Sequence, residues 1–272
     1  MLAEKQLYST ASYKNRDLRG VNFNGNDLSS YNFGQNLSGA IFTYANLENA
    51  DFGRANLSGV DFRRAVSFKA ANSAIYKNTI APDGEILNFS MSSAEDSFSL
   101  RACVSRTGTA RILSRISQAD ASISGGATLT IDGDMLEISG RRTLTVAEDG
   151  ALELKIGFDR MYQSYISVDS LSGLLLEDGA TLTVDIGSID EILERVGYFS
   201  DCLSVELIGW EEDSSVSGLS ELVKNETLFL VVGGENFSGE WGYSIDGNRF
   251  AIYAQVPEPA TCAAIFGAAA LS

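Results

Sequence analysis

The sequence predicts an all-β protein in two parts: a square coil with five-residue sides near the N-terminus, then a larger β-rich domain. Three observations carry this. Leucine or phenylalanine recurs every five positions between residues 18 and 62. From about residue 80 to 255, short runs alternate apolar and polar residues or are rich in β-branched ones. Asp-Gly turn signals separate those runs. The expected organisation is an N-terminal cap segment (1–14), the coil (15–66), the β-rich domain (67–255) and a tail (256–272) whose apolar residues 260–271 form a helix.

In the coil, Leu18, Phe23, Leu28 and Phe33 are followed, after a one-residue deletion, by Leu37, Phe42, Leu47, Phe52, Leu57 and Phe62. The preceding residue is mostly Asn or Asp: Asp17, Asn22, Asp27, Asn32, Asn36, Asn46, Asp51, Asn56 and Asp61. Two positions before the Leu or Phe, the later repeats carry a small residue: Ala40, Ala45, Ala50, Ala55 and Val60. A period of five fits neither a helix nor a strand. It fits a square coil whose Leu and Phe point inward and stack on their counterparts in the next coil, each burial contributing about 1.5–3 kcal/mol. One coil cannot close a core; stacked coils can. Leu2, Gln6 and Leu7 suit a short helix over the open edge of the first coil, since bare edges invite pairing with other chains.

The units AlaAsnLeuGluAsn (45–49), AlaAspPheGlyArg (50–54) and AlaAsnLeuSerGly (55–59) carry a resemblance to the pentapeptide-repeat family. The resemblance covers about residues 16–64 and implies a right-handed quadrilateral parallel β-helix. Some members of that family imitate DNA and bind gyrase with long acidic coils. Here the coil is neutral, Arg16, Arg19, Arg54, Arg63 and Arg64 balancing Asp17, Asp27, Glu48, Asp51 and Asp61, and it is short, so mimicry is disfavoured.

In the second part, residues 128–131, 144–146, 152–156 and 182–186 read as strands, with Asp132-Gly133, Asp149-Gly150 and Asp178-Gly179 between them. A Gly-Ala pair followed closely by leucine recurs at Gly126, Gly150 and Gly179, at intervals of 24 and 29 residues. Such intervals suggest an irregular β-solenoid; alternating strands with hairpin-type turns equally suit a β-sandwich. Ser188 to Glu191 form a capping box, with Ile189, Ile192, Leu193 and Val196 at helical spacing, and predict one short helix. Strands are expected again at 203–208, 228–232 and 250–254.

Composition narrows the function. The chain of 272 residues has no histidine, which removes the common neutral-pH base, the standard Ser-His-Asp triad and the HExxH zinc site. The formal net charge is −16, which disfavours phosphate-contacting nucleic-acid binders. The acid is unevenly placed: residues 1–65 hold seven Lys/Arg against six Asp/Glu, and the remainder holds thirteen against thirty. Cys103, Cys202 and Cys262 make neither a disulfide framework nor a metal-binding spacing; Cys103 and Cys202 either pair or stay as two buried thiols. Five Asn-x-Ser/Thr sites, at Asn36, Asn56, Asn88, Asn225 and Asn236, read as coincidence.

Asp132 and Asp134, followed by Arg141 and Arg142, could suggest polysaccharide cleavage or calcium, but they read better as a turn with a solvated basic pair. The reading is therefore non-enzymatic, with no catalytic residue, no cofactor-binding residue, no metal ligand and no nucleic-acid partner. Tyr162, Tyr165, Trp210 and Trp241 are the aromatic candidates for a glycan-binding face, the alternative function.

Val256, Pro257, Glu258 and Pro259, followed by the uncharged apolar run 260–271, resemble the PEP-CTERM sorting signal. The resemblance implies export, an exosortase-type protease-transferase as partner, transient membrane anchoring through the tail, and a bacterial cell surface rich in extracellular polysaccharide. The 13 residues after Pro259 fall short of the roughly 20 that span a bilayer. No basic stop follows them, and no signal peptide is visible at the start, so both ends are expected to be clipped.

Overall fold

The computed structural model describes residues 4–103, 113–156, 164–187, 202–232, 234–237, 239 and 241–255. They fall into two compact units, Met1–Ser90 with Cys103–Arg115, and Met91–Ala102 with Ile116–Ser272.

The first unit is a stack of square coils. Isolated parallel bridges join Asp17 to Asn36, Asn22 to Ile41, Asp27 to Asn46 and Asn32 to Asp51, then Asn36 to Asn56, Ile41 to Asp61 and Asn46 to Val66. One coil therefore takes 19 residues and the next takes 20. The short side is the one-residue deletion, closed by an unusually tight contact in which the Gln35 amide donates to the Phe33 carbonyl two residues back (2.6 Å). All ten repeat-core residues, Leu18 through Phe62, are 0–1% exposed. Phe23, Phe42 and Phe62 stack on one another at 4.9 and 5.3 Å between ring centroids, and Phe33 stacks on Phe52 at 5.3 Å.

Each five-residue side is a turn built from its own sequence. The carbonyl of the Leu or Phe accepts from the amide three residues on, as in Ala55 to Phe52 and Val60 to Leu57. The third turn residue has positive φ: Gly20, Gly25, Ser30, Gly39, Tyr44, Asn49, Arg54, Gly59 and Arg64. That is type II geometry. The five non-glycine positions carry a left-handed conformation that costs about 1–2 kcal/mol each, so the ladder inside must hold them. The Asn or Asp before each Leu or Phe explains itself here. Its side-chain oxygen accepts the amide two residues on, at 2.8–3.3 Å, in all nine repeats that carry one.

Stacking continues beyond the recognisable repeats. Asn56 bridges Ile75 and Asp61 bridges Ile80, past the expected boundary at 66. A small antiparallel pair follows, β1 (Thr79–Ile80) with β2 (Ile86–Leu87). At the other end, α1 (Glu4–Ser9) and α2 (Ala11–Lys14) lie against the first coil. Leu7 is buried in its core, while Gln6 is exposed and Leu2 lies outside the described residues. Tyr8 Oη accepts the Asn32 amide and Tyr13 Oη donates to the Asn32 carbonyl, both at 2.9 Å, so one peptide edge that a preceding coil would have paired is satisfied by two phenols.

The second unit is a solenoid of three sheets, not a sandwich. Its strands are β3 (Ser97–Arg101), β4 (Ser114–Ile116, entering this unit at Ile116), β5 (Ala121–Ile123), β6 (Thr128–Asp132), β7 (Met135–Ile138), β8 (Thr143–Val146), β9 (Ala151–Ile156), β10 (Tyr165–Val168), β11 (Gly173–Leu176), β12 (Thr181–Ile186), β13 (Cys202–Trp210), β14 (Ser215–Ser217) and β15 (Leu228–Val232). One sheet runs β3-β6-β9-β12-β15, a second β4-β7-β10-β13 and a third β5-β8-β11-β14. The chain visits the three in turn, so each coil contributes one strand to each sheet. Pairing between coils is parallel, with like apolar residues in register: Leu129, Leu152, Leu182 and Leu228 form one ladder, and Ile131, Leu154, Val184 and Leu230 another. These side chains are buried and their neighbours in each strand face outward.

The Asp-Gly pairs are therefore corners between sheets and not hairpin turns. Asp132-Gly133 leads from β6 to β7, Asp149-Gly150 from β8 to β9, and Asp178-Gly179 from β11 to β12. A Cβ on Gly150 would stand 2.2 Å from the Ile123 carbonyl of the preceding coil, so that corner admits only glycine. The Gly-Ala repeats begin β6, β9 and β12, but the middle one sits one residue out of register, and the leucines rather than the glycines align.

The last strands change direction. β16 (Glu235–Asn236) pairs antiparallel with β15. β18 (Arg249–Gln255) pairs antiparallel with both β13 and β17 (Trp241–Asp246). A helix, α3 (Leu219–Lys224), buries Leu219 and Leu222. The helix expected at 188–196, the apolar helix expected at 260–271 and the motif Val256, Pro257, Glu258 and Pro259 all lie outside the described residues.

Candidate functional site

A groove on the first unit arises from the short coil side. On successive coils the residue after the inward Phe is Gly34 and then Gly53, with no side chain to fill the face. The two backbones lie close: a Cβ on Gly34 would come within 2.6 Å of the Gly53 carbonyl oxygen. The resulting hollow of about 370 Å³ is lined by Tyr13, Arg16, Asn32, Gln35, Asp51, Arg54 and Ser73 with the two glycines.

Its polar groups are unevenly satisfied. The Arg16 guanidinium donates to the Gly34 carbonyl. Asp51 accepts the Gly53 amide (2.8 Å), and Ser73 Oγ accepts the Arg54 amide (3.1 Å). The Arg54 guanidinium is exposed and has no hydrogen-bond partner among the described residues. Gln35 is only 6% exposed, and its Oε1 is buried with no partner among the described residues. A buried amide oxygen left unbonded costs about 1–3 kcal/mol, so its place beside an open groove is notable.

The second unit has a different hollow, of about 620 Å³, where Trp210 and the exposed Leu175 and Ile245 meet Glu177, Asp178 and Glu221. Of the four aromatic candidates, only Trp210 lines it. Tyr165 is half-buried and donates to Glu206 Oε1 (2.9 Å); burial and that carboxylate push its hydroxyl up to about 12. Trp241 stands opposite Ala254, and Leu203 of β13 pairs with that same Ala254, so Trp241 lies at the far end of the strands from Trp210. Tyr162 lies outside the described residues. Among the described residues the aromatic candidates thus form no shared face.

Charged residues also depart from expectation. Asp134 is fully buried, while Asp132 is exposed on β6. Arg63, counted in the charge balance of the coil, is 0% exposed; its Nη2 and Nε meet Asp61 at 2.7 and 3.0 Å, and Nη1 reaches Ser114 Oγ at 3.4 Å. Cys103 is buried, and the Cys202 side chain and Cys262 lie outside the described residues. Among the described residues no three Cys, Asp or Glu side chains gather as a metal site, and no helix is long and apolar enough to cross a membrane.

Sequence reasoning missed the groove on the coil. The signal was present as two glycines 19 residues apart, one coil length, beside the one-residue deletion.

Stacked parallel coils with inward ladders define a solenoid-type repeat protein. Residues 36–66 match the family described as pentapeptide repeats (8 copies). No curated protein matches the chain.

Proposed function

We propose that the chain is a non-enzymatic structural or interaction protein of the bacterial cell surface or extracellular matrix, exported and sorted through its C-terminal segment. The first unit is read as a right-handed quadrilateral β-helix. The observation that carries the reading is the filling of both cores. The inside of each unit is taken up by continuous apolar ladders, so any recognition falls to the outer faces. The Val256-Pro257-Glu258-Pro259 motif with its uncharged apolar run supports delivery by an exosortase-type enzyme and passing attachment to the membrane. The strongly acidic second part suits a protein held soluble in a hydrated polysaccharide layer.

A second reading, glycan binding on an outer face, is favoured by the polar groove at Gln35 and Arg54. The sorting proposal is tested by expressing the tagged chain from its native locus, with and without the sorting enzyme, and with residues 256–272 deleted. Surface-accessible protein that requires both the enzyme and the tail is the expected result. Protein found in the same compartment in all three strains would overturn it.

A further inference from the structure

We propose that the groove on the first unit binds a carboxylated sugar residue, a hexuronate, within an acidic polysaccharide. The inference rests on the second reading, glycan binding on an outer face, and does not depend on where the chain is delivered.

The groove asks for both donors and acceptors from its ligand. The Gln35 amide and the exposed Asp51 carboxylate both line the groove and offer hydrogen-bonding groups to a hydroxyl-rich ligand. The Arg54 guanidinium, exposed and without a partner among the described residues, needs an anionic acceptor, and a carboxylate matches its planar fork. A compact phosphate would answer Arg54 but would set its charge against Asp51. A simple cation would answer Asp51 but would face both Arg16 and Arg54. A hydroxyl-rich ring bearing one carboxylate satisfies all of them together.

Shape and field agree. A hollow of about 370 Å³ lies at the small end of the range for small-molecule sites. Tyr13 borders it, with its hydroxyl tied to the Asn32 carbonyl, and so offers a fixed ring against which a sugar face can rest. Asn32, Asp51, Arg54 and Ser73 are all exposed, so the groove is open and a polymer can run on beyond the bound residue. The groove carries two guanidiniums against one carboxylate, on the neutral part of a chain whose remainder is strongly acidic. An acidic polymer is therefore drawn to this face and repelled elsewhere.

The test is calorimetric titration of the full chain with trigalacturonate, with a neutral glucose trimer and with inorganic phosphate, at physiological salt. The expected result is saturable trigalacturonate binding, weakened at least tenfold by Arg54→Ala and by Gln35→Met, and at least tenfold tighter than binding of the neutral trimer. Gln35→Met should melt no lower than the parent, because it removes an unsatisfied buried acceptor. Should that variant fail to fold, Arg54→Ala still decides, since its side chain holds nothing in place. No saturable binding of trigalacturonate, binding indifferent to Arg54→Ala, or phosphate binding as tight as trigalacturonate would each overturn the proposal.

Discussion

Arg63 lies wholly inside the first unit and closes a two-point contact on the carboxylate of Asp61, two residues before it, while the Arg63 amide donates to the same carboxylate at 2.9 Å. The repeat's own Asx turn is thus extended into a buried ion pair, which reaches Ser114 through the remaining guanidinium nitrogen.

Removing one member of such a pair leaves the other desolvated and uncompensated. Arg63→Ala should lower the unfolding free energy by about 3–5 kcal/mol, read from urea denaturation. Adding Asp61→Asn to Arg63→Met should recover part of that loss, because a neutral amide keeps the turn and needs no counter-charge. A loss below about 1 kcal/mol for Arg63→Ala would mean that the arginine is held by packing alone.

Asp185 carries the opposite kind of charge. On the outer face of β12 its Oδ1 is buried with no partner among the described residues, and Lys155 stands 3.9 Å from Oδ2. Burial raises its pKa; Lys155 opposes the rise, while Glu153 and Asp132 add to it. A carboxyl whose pKa is raised on folding binds its proton more tightly in the folded state, so its ionisation lowers stability as pH climbs through the folded value. Asp185→Asn should therefore raise the melting temperature at pH 7, and the gain should vanish as pH falls toward the unfolded value near 4. A lower melting temperature for the asparagine variant at pH 7 would refute this.

The tail makes a third prediction. Pro257 and Pro259 each lack an amide donor, and Pro259 biases Glu258 toward extended backbone, so the motif cannot enter the interior of a sheet. Residues 260–271 carry no charge and no polar face. Deleting 256–272 should leave the melting temperature unchanged and raise solubility. A loss above about 1 kcal/mol would make the segment a structural element.

Much of the first unit was legible because its period is unlike that of any regular element, and one spacing sets both the turn and the inward side chain. Leu47 and Phe52 announce themselves in this way. The reason for Asn46 and Asp51 before them does not, since an Asx contact is visible only once the turn exists. The second unit was legible as strands and not as an architecture. Alternation in 152–156 is the same whether the strand's neighbour is a hairpin partner or a coil below, and Asp149-Gly150 serves a corner as well as a hairpin. The burial of Arg63 was not legible, because Arg19 and Glu48 occupy the same place in their repeats and are exposed, and its acceptor Ser114 is 51 residues away. The groove was hidden because it consists of absent side chains at Gly34 and Gly53, brought together only by the coil length.

The most direct test of the account is a pair of thermal melts on neighbouring residues. Leu47 is 1% exposed inside the ladder, and Glu48 is exposed on the turn beside it. Leu47→Asp places an unpaired charge among apolar side chains and should cost several kcal/mol, unfolding the first unit. Glu48→Lys should shift the melt by no more than a surface substitution does, about 0.5 kcal/mol. A large difference between the two is the predicted result; equal effects would contradict the inward register on which the whole coil rests.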